Sequence, residues 1–411
     1  MSKWPVSSLQ GKLHIKHGFP FKSEYFSDGG HYVVLTPGNF HEAGGFKRQA
    51  GKEKYYLGDI PEDYLHSKGD LIVAMTEQSA GLLGSCAFVP DENMYLHNQR
   101  LGLISTDQKK LDKSFVYYLF QTKSVREQIR LTSTGSKVKH TSPERLYAVT
   151  APLPKVDEQK KIAAILSALD AKIDCNNRIN SELEAMAKML YDYWFVQFDF
   201  PDSNGKPYKS SGGKMVYNAT LKREIPEEWK DKQLIQIANI TMGTSPTGDS
   251  LNDVGDGVEF FQGSTDFGWQ FPTVRQYTTQ PVRMAKRGDI LLSVRAPVGD
   301  INVAHINCCI GRGLAALNSK DGFDGFLFYV MQHFKTIFDR RNGQGTTFGS
   351  ITKDDLHSLS LAYPTPELLK KYDDVISSYN QMVFTRSMEN QQLAQLRDWL
   401  LPLLMNGQVV A

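Results

Sequence analysis

A chain of 411 residues has room for two or three domains, each able to bury its own core. Its 47 Lys plus Arg stand against 45 Asp plus Glu, and a formal charge of +2 excludes a general polycation, so any nucleic-acid contact must rest on local patches. Four cysteines, Cys86, Cys175, Cys308 and Cys309, fit neither a CxxC metal pair nor a disulfide framework, and "MSKWPVSSLQ" has no apolar signal core. With no apolar run of membrane-spanning length either, the expectation is a soluble, cytoplasmic protein.

The first stretch reads as short strands. "KGDLIVAM" (68–75) is an apolar run entered through a Gly-Asp turn, "NQRLGLI" (98–104) is an arginine-containing strand, and "GSKVKHTSPERL" (135–146) is a polar loop running into a helix start. "GGFKRQAGKEKYY" (44–56) gathers Lys47, Arg48, Lys52 and Lys54, and the later loop adds Lys137, Lys139 and His140. Such residues neutralise phosphates, while neighbouring glycines let backbone N–H groups come close.

After Pro154 the period changes. With Asp157 as N-cap, apolar residues recur at Ile162, Leu166, Leu169, Ile173, Leu183, Ala187, Leu190 and Trp194, and Asn176 and Asn180 fill the two remaining slots. Steps alternating between four and three mark a coiled-coil seam, and a helix of roughly 38 residues is about 57 Å long. Residues 200–224, rich in Ser, Gly, Lys and Pro, read as a linker.

The second half repeats the first. "RGDILLSV" (287–294) matches "KGDLIVAM", Arg312 in "GRGLAAL" resembles Arg100, and "MGTSP" (242–246) resembles "HGFPF" (17–21). A shift of 210 residues puts Gly135 on Gly345, Leu146 on Leu356 and Pro154 on Pro364. The same shift carries the seam onto Tyr372, Ile376, Tyr379, Val383, Arg386, Asn390, Leu393, Arg397, Leu400 and Leu404. The polar pairs at the centre, Asn176 and Asn180 with Arg386 and Asn390, read as devices that fix register.

Arginines mark this half: Arg275, Arg283, Arg295, Arg312, Arg340 and Arg341. Arg340, Arg341 and Gln344 in "RRNGQGTT" are candidate base readers, because Arg and Gln make paired hydrogen bonds to guanine and adenine edges; Thr346 and Thr347 suit phosphates. Thr352 or Asp354 is placed to cap the short helix that follows.

No reaction centre assembles from the motifs. Lys214 in "GGKMV" is followed by Met215 where a P-loop needs Ser or Thr, and GxGxxG, HExxH, GxSxG and the Asn-Pro-Pro-aromatic signature of amino-methyltransferases do not occur. "PEDYLHSK" (61–68) faintly resembles a metal-dependent nuclease core but has a spacing common in surface loops, His305 is a lone histidine in a strand-like run, and Cys308 and Cys309 would point to opposite faces of a strand.

"PLPKVDEQKKIAAILSALDAKIDCNNRINSELEAMAKMLYDYWFVQFDF" (152–200) closely resembles the central conserved region of specificity (S) subunits of type I restriction-modification enzymes. "LAQLRDWLLPLLMNGQVV" (393–410) looks like the C-terminal conserved end of that family, and "IPEEWK" and "TTFGSITKDDL" match further phrases of it. The resemblance implies an α+β chain: two globular α/β target recognition domains (1–153 and 225–363) separated by two long antiparallel coiled-coil helices (154–199 and 364–411), with pseudo-twofold internal repetition. It also implies a non-catalytic reader of double-stranded DNA, each domain taking one half of an asymmetric bipartite target, in defence against foreign DNA. Two methyltransferase (M) subunits and motor-nuclease (R) subunits are the implied partners, holding S-adenosylmethionine, ATP and magnesium; an orphan DNA-binding coiled-coil scaffold is the alternative. The second helix opens "PTPELLKKYDDVISSYNQ" where the first has "DEQKKIAAILSALDAKID", so the two methyltransferase interfaces are expected to be unequal.

Overall fold

The computed structural model describes residues 3–77, 81–343 and 350–411, apart from the side chains of 336, 337 and 339–343. The chain divides into two compact units, residues 1–176 with 388–411, and residues 177–387. The dividing line falls inside both long helices, Val156–Tyr191 and Pro366–Met405.

The first unit is built on two small sheets. One is antiparallel in the order Leu13–His17, Leu101–Thr106, Leu71–Ala74, Cys86–Phe88. The other runs Phe26–Ser27, Tyr55–Tyr56, Tyr32–Leu35, Tyr95–His97, its last pair parallel. Leu71–Ala74 reads as an unbroken apolar run because both its faces are covered. Leu71 and Val73 join the core that includes Phe115 and Ile162, whereas Ile72 and Ala74 join a second core with Val33 and Leu101.

The second unit repeats this plan. Its antiparallel sheet is ordered Ala238–Met242, Leu314–Ser319, Ile290–Ser293, Ile301–Val303. A five-stranded sheet contains Val258–Phe261 beside Cys308–Ile310, again the parallel pair. Ile290 and Leu292 face one core and Leu291 another, as in the first unit.

In the first unit the long helices run antiparallel, with Asp170 against Arg397 at 2.9 Å and Asn176 against Asn390 at 2.9 Å. Ile162, Leu166, Leu401 and Leu404 are buried in the same core as the sheet residues Leu13 and Ile15. In the second unit Asn180 Nδ2 donates to Ser387 Oγ at 3.3 Å and the Tyr372 hydroxyl donates to the Ala187 carbonyl at 3.4 Å. Leu183, Ala187, Tyr372, Ile376 and Val383 are buried, and Leu169, Ile173 and Leu393 are half-buried along the same seam.

Four details depart from the sequence reading. Asp157 lies inside the first helical turn, because the helix begins at Val156. Its charge still favours the positive N-terminal end of the helix. Arg386 does not cross the seam: its Nη1 donates to the Met382 carbonyl of its own helix, and Ser387 meets Asn180 instead. The stretch 200–224 is more than a linker, since Met215–Asn218 and Arg223–Pro226 form a hairpin and Phe200 stacks on Tyr208 and Trp229. His305 sits in a bend after Ile301–Val303 rather than in a strand. Thr352 is the cap of the short helix Lys353–His357, accepting from the Asp355 N–H.

Two stability experiments follow from these contacts. Asn176 Nδ2 donates to both Glu389 Oε2 and Asn390 Oδ1, so Asn176→Ala should cost about 1–3 kcal/mol in denaturant unfolding. Arg386→Ala should change stability by no more than about 0.5 kcal/mol. His97 is fully buried, its ring 4.7 Å from that of His66 and 5.4 Å from that of Tyr64, with the Lys16 carbonyl at 3.4 Å from Nε2. Burial, with His66 alongside, pushes its pKa down to about 3 from 6.5, while Asp70 beyond pulls weakly upward. The folded chain therefore refuses a proton that the unfolded chain accepts between those values, and stability falls as pH drops below about 6.5. Melting at pH 7.5 and pH 5 should show this loss, and His97→Phe should make it smaller.

Candidate nucleic-acid interface

Each unit carries a cleft where its two sheets meet. After Leu13–His17 the chain steps from one sheet to the other: the Gly18 N–H donates to the Leu101 carbonyl and the Phe19 N–H to the His97 carbonyl. In the second unit Gly243 donates to Leu314 and Thr244 to Ile310 in the same way. No side chain fits at this crossing, because a Cβ on Gly18 would lie 1.9 Å from the Asn98 oxygen and one on Gly243 2.1 Å from the Gly311 oxygen. The close approach is the reason for glycine.

The first cleft, about 220 Å³, is lined by Pro20, Thr36, Lys54, Asn98, Gln99 and Arg100 among others. The second, about 590 Å³, is lined by Ser245, Gln262, Gln276, Arg295, Arg312 and Gly313, with Arg275 at its side. Strand registers make these the same site. Gly102 faces His17 as Ala315 faces Met242, and Leu35 pairs with His97 as Phe261 pairs with Ile310. Lys54 bonds to Val34 where Gln276 pairs with Phe260. Thr36 thus corresponds to Gln262, Lys54 to Gln276, and Gln99 to Arg312.

The registers also correct the match between Arg100 and Arg312. Leu101 and Leu314 are equivalent, so Arg100 stands where Gly313 does, one residue beyond Arg312. Both arginines still line their clefts. Lys54, Arg100, Arg275, Arg295 and Arg312 are therefore brought together in two groups by the fold.

The other sequence candidates lie elsewhere. Lys47 and Lys52 are exposed, while Arg48 is held by Asp91 at 2.7 Å and by the Tyr95 hydroxyl at 3.2 Å. Lys137 is exposed on the polar loop, and Lys139 and His140 form a short strand against Thr76–Glu77, with His140 Nδ1 3.2 Å from Thr76 Oγ1. Gln344, Thr346 and Thr347 lie outside the described residues, as do the side chains of Arg340 and Arg341. Thr36, Gln99, Gln262, Gln276 and Asp266 are cleft residues that sequence reading passed over. For Thr36, Gln99, Gln262 and Gln276 the signal was position relative to strands matched between the halves, and Asp266 had none.

Among the described residues no group of three His, Cys, Asp or Glu side chains could hold a metal ion, and no helix is long and apolar enough to cross a membrane. Buried Cys308 has its thiol pushed up to about 12 by the apolar surroundings, which suits packing and not nucleophilic attack.

A polar cleft bearing arginine is thus repeated in the two units, each of which also holds part of both long helices, and the duplication defines a class of chain with two equivalent globular modules. The type I restriction modification DNA specificity domain matches residues 1–185 and again 226–396. The chain belongs to that family, and it is a DNA-recognition subunit of the type I restriction-modification kind. The MjaX type I restriction enzyme specificity subunit of Methanocaldococcus jannaschii is 32% identical over 369 residues, covering 86% of this chain and 82% of that one. The MjaIX specificity subunit of the same organism is 25% identical, covering 72% and 68%. The crystal structure of a type I restriction-modification S subunit from M. genitalium has a TM-score of 0.62 at 17% identity, covering 98% of this chain and 96% of that one, a likeness of fold.

Because something must shift if a Cβ is added at the crossing, Gly18→Ala and Gly243→Ala should each cost about 1–3 kcal/mol and disturb one cleft. Gly29→Ala, where nothing lies within 4 Å, is the control and should fall within about 0.5 kcal/mol of the parent in the same denaturation assay.

Proposed function

We propose that each unit reads one half of an asymmetric, bipartite double-stranded DNA target through its cleft, as the non-catalytic member of a larger complex. The observation that carries this is the pairing of equivalent positions with unlike side chains. Thr36, Lys54 and Gln99 in one cleft correspond to Gln262, Gln276 and Arg312 in the other. A shared frame holds both readers; Gln262 and Gln276, standing where the other cleft has Thr36 and Lys54, select different bases, while the exchange of Gln99 for Arg312 alters the grip on the backbone. The paired helices set the spacer between the half-sites. S-adenosylmethionine, ATP and magnesium belong in this reading to partner subunits, two adenine methyltransferases and the motor-nucleases.

Docking of two such partners has support on the helices themselves. The first unit exposes Ile165, Leu396 and Trp399, and the second exposes Val375, Met186 and Met189. Each residue of one trio stands 210 positions from its counterpart in the other. Trp399 is 62% exposed and Met189 70%, and what distinguishes them is that each belongs to a cluster repeated on the two helices. This repetition favours two interfaces on matching helix faces. Their different residues, Trp against Met, favour unequal strength.

Methylation mapping in cells carrying the chain and its methyltransferase will report both half-sites and the spacer. Gln262→Ala with Gln276→Ala should relax one half-site and leave the other and the spacer unaltered; changes in both halves would sink the assignment of one cleft to one half-site. Trp399→Ser and Met189→Ser should each weaken association of one methyltransferase copy by about tenfold or more in sedimentation of the purified complex. Unchanged two-copy assembly in both variants would remove these residues from the interface.

A further inference from the structure

Resting on the DNA-reading assignment of the second cleft, we propose that Arg275 is its guanine-reading residue, that Asp266 is the positioning residue that aims it, and that Arg312 contacts phosphate. The three arginines of this cleft are not alike. Arg275 Nε donates to Asp266 Oδ1 at 2.6 Å, and its Nη2 meets the same oxygen. The Asp266 side chain is only 11% exposed. By contrast, the guanidinium groups of Arg295 and Arg312 make no hydrogen bond or ion pair among the described residues, and both residues are exposed.

The loop that carries this pair is itself fixed. The Thr273 N–H donates to the Asp266 carbonyl at 2.8 Å, closing the loop across its neck. Asn302, 2% exposed on the strand Ile301–Val303, donates from Nδ2 to the Gly268 carbonyl and accepts from the Gly268 N–H, each at 3.1 Å. The Val303 N–H donates to the Gln270 carbonyl at 2.8 Å. Arg275 then enters the strand Gln276–Thr278 directly. Backbone and side chain are thus both restrained before DNA arrives.

The geometry of the grip matters. An aspartate oxygen held against Nε and Nη2 occupies one side of the guanidinium, and leaves Nη1 with the outer N–H of Nη2. Those two parallel donors are the end-on fork that fits the O6 and N7 acceptors of guanine in the major groove. Fixing the fork in advance reduces the ordering lost on binding and penalises a base whose acceptors do not match. An untethered arginine adapts instead to a phosphate, whose oxygens accept from many directions, so Arg312 suits the backbone.

The test uses the full chain assembled with its methyltransferase subunit, and DNA duplexes carrying the mapped target or single-base-pair changes in its second half-site, across a range of salt. Arg275→Ala should lower discrimination at one G·C pair by about 10- to 100-fold. Arg275→Lys, which keeps the charge and removes the fork, should lose that discrimination while retaining the salt slope. Asp266→Asn should lose part of it with no fall in affinity for unrelated DNA, and Asp266→Glu should recover some. Arg312→Ala should weaken all sequences alike and reduce the salt slope by about one. If Arg275→Ala weakens all sequences equally and lowers the salt slope, or if discrimination is lost at an A·T pair, the guanine assignment is overturned while the cleft remains a DNA surface. Unchanged discrimination in Asp266→Asn overturns the positioning role. If Arg275→Ala and Arg312→Ala both bind every duplex as the parent does, the cleft is not the DNA surface, and the functional reading above falls with it.

Discussion

Two backbones pass so close at Gly18 and Gly243 that no side chain can stand between them, and the two clefts depend on that crossing. Where the strand Leu13–His17 leaves its sheet, its continuation bonds to the strand Tyr95–His97 of the other sheet, and Ala238–Met242 does the same toward Cys308–Ile310. Two sheets sewn together in this way cannot lie flat on one another at the seam, and the gap between them is the cleft. Its walls combine buried strand residues such as Val34 and Ser293 with exposed side chains at strand ends and turns, among them Gln99, Arg100, Gln262 and Arg312. The frame can then be kept while its lining varies.

Polar groups elsewhere in the chain do the opposite task of forbidding alternatives. A seam of apolar residues alone tolerates sliding by a heptad, because every knob finds another hole. Asn176, bonded to Glu389 and Asn390, and Asn180, bonded to Ser387, pair in one register only. In the first unit the Tyr118 hydroxyl donates to Asp170 Oδ2 at 2.7 Å while Arg397 holds Oδ1 at 2.9 Å, so one carboxylate ties the globular part to both helices. Burial, with Asp170 nearby, also pushes the Tyr117 hydroxyl up to about 12 on this flank. A reader that must present its cleft at a fixed place on DNA gains more from such specified contacts than from additional apolar area.

The α+β architecture, the repeat and the long helices were legible because they are periodic. Alternating steps of four and three identify a seam without any knowledge of what covers it, and a matched order of turn, strand and helix identifies a duplicated unit. Single positions were less legible. Arg386 falls on the period, yet its long side chain reaches back to the Met382 carbonyl, which a count of spacings cannot reveal. Arg100 and Arg312 attracted each other in alignment because arginine is conspicuous, whereas strand pairing shows Gln99 to be the true counterpart of Arg312. Composition misjudged 200–224 for a similar reason: Ser, Gly and Lys dominate the count, but Phe200, Tyr208 and Trp229 stack and decide the structure. Asp266 was invisible for a deeper reason, since its importance lies in a contact across nine residues of loop that nothing local announces.

Near-neutral charge fits a reader of this kind better than a strongly basic surface would. With 47 basic against 45 acidic residues the chain has little long-range pull on arbitrary DNA, so non-specific binding, which arises from counterion release, is kept small. Discrimination depends on the ratio of specific to non-specific affinity, and lowering the second raises that ratio as surely as strengthening the first. In the proposed reading, local arginines inside polar clefts act where bases can be tested. Pairing an arginine with an acid, as Asp266 does with Arg275, costs some attraction for phosphate and is tolerable only when direction matters more than charge. In the proposed reading Arg295 and Arg312, whose guanidinium groups make no ion pair among the described residues, supply that attraction, and the division of labour would let one cleft both hold a duplex and question its sequence.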